Sequence, residues 1–392
     1  MVVLQIIAAL LFTASAAYLI LALFRIERFG RAPAVRGARP AVTVMVPCFG
    51  APPSLERCLS SICDQVYEGP IQVVFGLHSA DDPARAVIEE IVARRPALDA
   101  SVVVDSNRIG ANPKNCNLAN MMAAVRHDVM VMVDSDVLVT PGFVAAIVAP
   151  FQEPGVGCVT SLYKGLPEAG LASHLGALYI NDWFIPSALV DLARHDIDLT
   201  YGAATAITRA ALDSVGGFAA MASAVAQDYV LGHEIRRAGF GIRLASEVVG
   251  TIVDDSDLAH LYRHEIRWMR AIRAVRPTDH LLWIVTSSLI PLILLSWVWP
   301  VAVAMTALAF YLGLRFLLHY RLRQHIGLPV PEPLLLPLRE LVNFALWTGS
   351  FFGRRVCWGD NVLITGDGLA MHAAGTGREG RSAADIGAFK CN

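Results

Sequence analysis

Two stretches of the chain carry no charged side chain: Met1 to Phe24 and Leu281 to Leu314. About 20 apolar residues span a bilayer. The first run therefore predicts one membrane helix, residues 1–24. The second is too long for a single helix and is split by Pro300, which predicts two over 281–320. A cleaved signal peptide needs a basic stretch ahead of its apolar core. Here that stretch is missing, and Tyr18 to Phe24 continue the run past the small residues Thr13 to Ala17, so a retained anchor is expected. Arg25, Arg28, Arg31, Arg36 and Arg39 follow, opposed only by Glu27. The positive-inside rule then puts this flank, and the domain behind it, in the cytosol. His319, Arg321, Arg323 and His325 return the chain to the same side. A third apolar segment, 334–353, contains Arg339 and Glu340. Charges are costly at membrane depth, so spanning, interfacial and re-entrant placements stay open for it. The Gly/Ala/Ser-rich tail, 365–392, is expected to be disordered.

Between the membrane blocks, residues 40–277 alternate short β-branched runs with helical patterns. Val42 to Val46, Ile71 to Leu77, Ser101 to Val104 and Val129 to Val133 read as strands. Ser54 to Cys63 and Pro83 to Arg95 read as helices. That alternation predicts an α/β domain with a mostly parallel sheet. Ligands of such sheets bind beyond the carboxyl ends of the strands, where Asp81, Asp82, Asp105, Asp134 and Asp136 fall.

Composition narrows the class. Hydrophobic residues make up 55% of the 392 and charged residues 17%, against about 25% charged in soluble domains. This excludes a disordered chain and argues against a wholly soluble one. A net charge of −2 gives a nucleic-acid partner no electrostatic support. The seven cysteines are scattered with no CxxC pair, which predicts free thiols in a reducing compartment. GxSxG and Walker signatures are missing.

Five short motifs carry candidate chemistry, each with a plainer reading beside it. Asp134-Ser135-Asp136 sets two carboxylates just past a strand, where they can hold one hard divalent cation and through it a phosphate; a capping turn is the alternative. Asp81-Asp82 suits a nucleoside, but also a helix cap before Pro83. Lys114, in Gly110 to Asn117, can neutralise phosphate or merely sit in a solvated loop. Asp228, in Gln227-Asp228-Tyr229, is a candidate general base or an N-cap. His264, Arg267 and Trp268 offer a hydrogen-bonding ring, a bidentate cation and a flat apolar face, or simply a basic juxtamembrane helix. His260 and His264 are spaced as metal ligands, but no third ligand is evident.

The order of these motifs before a membrane block resembles the membrane-bound family 2/21 glycosyltransferases, and the nearest pattern is that of the ceramide glucosyltransferases. Their DDP, G-x-N-x-K loop, second Asp, (E/Q)DY and (R/Q)xxRW are matched by Asp81-Asp82-Pro83, Gly110 to Lys114, Asp134, Gln227-Asp228-Tyr229 and His264 to Trp268. Within the group, Val74 to Pro83, His127 to Asp136 and Arg263 to Arg276 look most like the bacterial hopanoid-biosynthesis-associated branch. The resemblance covers roughly residues 40 to 360. It implies a GT-A domain flanked by transmembrane helices, at the cytosolic side of a bacterial inner membrane. It further implies an inverting transfer from a UDP-sugar to a membrane lipid, with Mg²⁺ or Mn²⁺ as cofactor. Asp82, Lys114, Asp134 and Arg267 are then expected to bind the nucleotide-sugar and Asp136 with Asp134 the metal. Asp228 is expected to take the acceptor proton, and His264 and Trp268 to belong to the acceptor motif. The resemblance to the hopanoid branch implies UDP-N-acetylglucosamine as the expected donor and bacteriohopanetetrol as the expected acceptor. His264 departs from the family, which has Gln or Arg there. A sphingolipid glucosyltransferase using UDP-glucose, a processive polysaccharide synthase and a non-catalytic nucleotide-binding scaffold are the rival readings.

Overall fold

The computed structural model describes residues 1–29, 39–168, 170–192, 196–224, 226–287, 289–328, 333–353, 355–358, 361–365 and 371–373. The first four strands are β1 (Val42–Pro47), β2 (Ile71–Leu77), β3 (Asp99–Val104) and β4 (Val129–Val133). They lie parallel in the order β3-β2-β1-β4, with Val42 of β1 paired to Ile71 and to Val129. Both faces of β1, β2 and β4 are buried, which their apolar runs require, while β3 at the sheet edge is partly exposed. Val44, Val46, Phe75, Val131 and Val133 point to one core, shared with the helices Leu55–Cys63, Ala84–Ala93 and Phe143–Val148. Met45, Val74, Met130 and Met132 point to the other, shared with the helices Pro113–Met121 and Gln227–Arg237.

The remaining strands are β5 (Val137–Leu138), β6 (Val156–Thr160), β7 (Tyr163–Pro167), β8 (Ala204–Thr208), β9 (Gly241–Leu244) and β10 (Val249–Val253). β8 runs antiparallel between β4 and β6, and β9 closes the seven-stranded sheet. β10 pairs antiparallel with β5 and parallel with β7 in a second, three-stranded sheet. This small sheet was not foreseen, and it stands beside the carboxyl end of β4.

Among the described residues two helices are each long and apolar enough to cross a membrane: Val2–Ile26, of 25 residues, and Val301–Ile326, of 26. At about 1.5 Å per residue each exceeds the roughly 30 Å hydrocarbon core. Pro300 caps the second, at the break the sequence predicts. The segment before it differs from the expected full helix: Pro277–Thr286 and Ile290–Val298 are bent by 59°, a broken span or a re-entrant pair.

The helix Leu336–Ser350, in the segment whose placement was open, is not among the candidate spans. Its two charges are internal contacts. Arg339 is 0% exposed and grips Glu265 with two nitrogens, at 3.0 and 2.5 Å. It also donates to Asn343 and to the Leu175 carbonyl. Glu340 accepts from Tyr311 and Ser287. Strand Met371–Ala373 pairs with Asn361–Thr365, inside the stretch expected to be disordered; most of 365–392 lies outside the described residues.

Candidate active site

The turn Asp134-Ser135-Asp136 joins β4 to β5 and is fixed from three sides. The Asp134 amide donates to the Ala203 carbonyl at 3.1 Å, and the Val137 amide donates back to the Asp134 carbonyl at 3.1 Å. The Ile252 amide, on β10, donates to the Asp136 carbonyl at 3.0 Å. Lys114 enters from the helix Pro113–Met121. Asn112 caps that helix through the Asn115 amide, and Pro113 occupies its first turn. The Lys114 ammonium lies 2.5 Å from Asp134 Oδ1 and donates to the Gly202 carbonyl at 3.0 Å. Burial alone lowers its pKa, but Asp134, Asp228 and Asp136 outweigh that and raise it. Burial, with Asp134 adding to it and Lys114 opposing, raises the Asp136 carboxyl to about 6.

Asp228 sits in the first turn of the helix Gln227–Arg237. Its backbone carbonyl accepts from both the amide and the hydroxyl of Thr200, at 3.1 and 2.9 Å. Gly202 faces its carboxylate so closely that a Cβ there would collide with it. Burial raises the Asp228 pKa, Lys114 opposes and Asp134 adds.

The third wall is the helix Leu258–Val275. Asp257 caps it by accepting from the His260 amide at 2.8 Å. From that start, His264, Arg267 and Trp268 fall on the face toward the site. The His264 and Trp268 rings are 4.4 Å apart, and Trp268 stacks on Tyr179 at 6.1 Å and 25°. Burial lowers the Arg267 pKa. His260 and His264 do not make a metal pair. Both Nδ1 atoms approach Asp255 Oδ1 instead, at 2.7 and 3.5 Å.

One cleft of about 1390 Å³ joins these walls. Lys114, Asp134, Asp136, Asp228, His264, Arg267 and Trp268 all line it. It then continues past Trp283, Val285 and Thr286 to Ala14, Ala17, Tyr18 and Leu21 of the N-terminal apolar helix. Asp82 stands apart. Its Oδ1 accepts from the Gly50 amide at 3.0 Å and the Ala84 amide at 2.9 Å, so it ties the loop after β1 to a helix start. The plainer capping reading describes that carboxylate.

Asp134 and Asp136 supply hard oxygen donors on one turn, and burial, with Asp134 beside it, pushes Asp136 upward. Among the described residues no group of three His, Cys, Asp or Glu side chains is placed to hold a metal. The two carboxylates could supply only part of a hard cation's shell, the rest falling to water or phosphate oxygens, and the Lys114 ammonium stands 2.5 Å from one of them, Asp134. The described cysteines, Cys48, Cys58, Cys63, Cys116 and Cys158, are free thiols, as expected.

Sequence reasoning missed three residues of this region. Phe49 is 79% exposed on the cleft rim. Gly202 follows no motif. Asp255 ends the run after β10, and the strand-end carboxylate rule that found Asp134 also points to it.

Residues 6–370 match the family profile described as glycosyl transferase family 21. Over 105 residues the chain is 33% identical to a ceramide glucosyltransferase of Komagataella phaffii, covering 26% of this chain and 20% of that protein. Over 123 residues it is 34% identical to an N-acetylglucosaminyltransferase of Bradyrhizobium diazoefficiens, covering 30% and 24%. The chain spans between 20% and 52% of the length of such curated relatives. A solved mannosyltransferase of Pyrobaculum calidifontis, in complex with GDP-Man and Mn²⁺, has the same GT-A fold. The TM-score is 0.57 at 19% identity, over 89% of this chain and 99% of that one.

Proposed function

The chain belongs to glycosyl transferase family 21, and from that premise we propose that it moves a sugar from a UDP-sugar to the hydroxyl of a membrane lipid at the cytosolic face of a bacterial inner membrane. The observation that carries this reading is the continuity of the cleft. Lys114, Asp134, Asp136 and Asp228 stand at one end, and Ala14, Ala17, Tyr18 and Leu21 of a membrane-length apolar helix at the other. An amphiphile lying along that helix has a path for its hydroxyl to Asp228.

The chemistry follows from the groups in place. The acceptor oxygen attacks the anomeric carbon as the bond from that carbon to the diphosphate breaks, and this single displacement inverts the centre. The acceptor proton passes to Asp228, whose raised pKa suits a base. Lys114 and Arg267 oppose the charge left on the diphosphate. Asp134 and Asp136 would hold Mg²⁺ or Mn²⁺, which when bound neutralises part of the same charge. Trp268, stacked on Tyr179, gives the acceptor a flat apolar wall. Asp82 acts on the nucleotide side by fixing the loop that carries Phe49 and Gly50.

The N-acetylglucosaminyltransferase relatives support UDP-N-acetylglucosamine as donor, and the motif resemblance supports bacteriohopanetetrol as acceptor. The ceramide glucosyltransferase relatives favour UDP-glucose and ceramide as the second reading. The test pairs each donor with each lipid, using detergent-purified protein and Mn²⁺, with mass spectrometry of the lipid phase. Bacteriohopanetetrol gaining an N-acetylhexosamine is the expected product. Hexosylated ceramide shifts the assignment to the second reading. Polymer in the aqueous phase with no lipid product overturns both in favour of a polysaccharide synthase.

A further inference from the structure

Three tyrosines line the cleft: Tyr163 of β7, Tyr179 at the end of the helix Gly170–Tyr179, and Tyr201. Tyr179 and Tyr201 are each 7% exposed. Aromatic contacts fix the rings. Tyr163 stacks on Phe184 at 4.4 Å, Tyr201 meets the same ring edge-on at 5.5 Å, and Tyr179 stacks on Trp268. Burial raises all three phenol pKa values, so the hydroxyls stay protonated at neutral pH.

A buried tyrosine hydroxyl ordinarily finds a partner inside the protein. Among the described residues these three have no hydrogen-bond partner. They are not sealed in the core either. Trp183 Nε1 and Asp182 Oδ2 are closed off without a partner; the three phenol oxygens are not, and the cleft is the space they line. The charges of Asp228 and Asp134 act on the Tyr163 phenol, as do Tyr179 and Tyr201, so the three phenols and the carboxylates share one neighbourhood.

The set leads from there to the membrane side. Phe184, which Tyr163 and Tyr201 both touch, precedes the helix Ile185–Asp191. Ser187 of that helix lies 2.9 Å from the Tyr18 hydroxyl on the N-terminal apolar helix. Asp191 is about 6 Å further along the same helix and pairs with Arg276 at 3.2 Å. Asp279 and Asp198 approach Arg276 as well, at 2.9 and 3.9 Å. This guanidinium is thus neutralised within the protein and offers little to an anionic head.

We propose that Tyr163, Tyr179 and Tyr201 form the subsite for the polar head of the acceptor, and that they select a neutral lipid with several head hydroxyls over one with a single hydroxyl. The proposal rests on the glycosyl-transfer reading and names the residues that choose its acceptor. A hydroxyl donates one hydrogen bond and accepts two, so a phenol pairs with an alcohol in either direction. No covalent bond is made or broken at these phenols. They hold alcohol groups of the head while another alcohol group faces Asp228. A site built to bond a hydroxyl rejects the analogue lacking it, because its own polar groups are then left unpaired. The donor sugar also carries hydroxyls, but the continuity of the set through Phe184 with the Tyr18 contact favours the acceptor.

The experiment is calorimetric binding in nanodiscs for the wild type, Tyr163→Phe, Tyr179→Phe and Tyr201→Phe. Each variant keeps its ring and packing and removes only the oxygen. The probes are a dodecyl ether of a tetritol, dodecanol, and UDP-N-acetylglucosamine with Mn²⁺, the first two corrected for partition into empty nanodiscs. The wild type is expected to bind the tetritol ether at least about tenfold more tightly than dodecanol. Each variant is expected to lose about two- to tenfold for the tetritol ether, the scale of one neutral hydrogen bond, with dodecanol and the nucleotide-sugar unchanged. A loss of nucleotide-sugar affinity at least as large as that for the tetritol ether assigns the phenols to the donor and overturns the proposal. Unchanged tetritol affinity in all three variants overturns it too. The readout needs no sugar transfer, so failure to make any glycolipid sinks the transfer reading without touching this result.

Discussion

The ammonium of Lys114 lies 2.5 Å from Asp134 and donates to the Gly202 carbonyl, so one cation ties the DxD turn to the loop that backs Asp228. Three pieces of sequence 20 to 90 residues apart meet at that nitrogen. With its pKa raised, Lys114 keeps its charge below its ordinary titration range and through it, losing it only at higher pH. Lys114→Met is expected to lower kcat/KM about 100-fold or more. The loss should be uniform from pH 6 to 9, measured with a fixed donor and lipid.

Asp228→Asn is expected to lower turnover by about 10² to 10⁴ while UDP affinity is kept, since the base proposed here acts on the acceptor and not on the nucleotide. The sign of the pH effect follows from the raised pKa. The base is active when deprotonated, so the acid limb of the rate profile should lie above the ordinary carboxylate range. The profile of kcat against pH in nanodiscs checks both.

Gly202→Ala places a methyl against the Asp228 carboxylate. It is expected to cost about 1 to 3 kcal/mol of stability, as an overpacked site does. Its effect on kcat should exceed its effect on donor KM. A thermal melt and steady-state kinetics on the same preparation measure the two.

Asp136→Ala is expected to raise the Mn²⁺ concentration needed for half-maximal activity by at least about tenfold, and EDTA to abolish turnover of the wild type reversibly. A titration of activity with Mn²⁺ after EDTA treatment measures this.

Arg339 and Glu265 are both buried and form a bidentate pair between the helix Leu258–Val275 and the helix Leu336–Ser350. Removing one partner strands the other's charge, at a cost of about 3 to 5 kcal/mol. Arg339→Met is therefore expected to lower the melting temperature sharply, and Arg339→Met with Glu265→Met to recover most of the loss.

The strands that the short apolar runs predict, from Val42 to Val133, are present, with β3 starting two residues early at Asp99, because their patterns are local. Lys114, Asp134, Asp136, Asp228, His264, Arg267 and Trp268 were legible as motifs, and they line one cleft. Gly202 was not legible, since its meaning comes from a close approach made across the fold. The β5-β10-β7 sheet was hidden because β5 is only two residues long and pairs with a strand more than 100 residues away. Arg339 and Glu340 read as an obstacle to a membrane placement, because a sequence does not show that Glu265, Ser287 and Tyr311 receive them. The break at Pro300 was visible, but not the bend before it.

In the proposed function the acceptor reaches Asp228 from the bilayer, along the N-terminal helix. Ala17 is exposed on the stretch of that helix that lines the cleft. Ala17→Trp fills the path without touching the nucleotide end. In nanodiscs carrying the acceptor lipid, the variant should form glycolipid at less than about a tenth of the wild-type rate, with UDP affinity unchanged. Glycolipid formed at the wild-type rate by Ala17→Trp would contradict the claim.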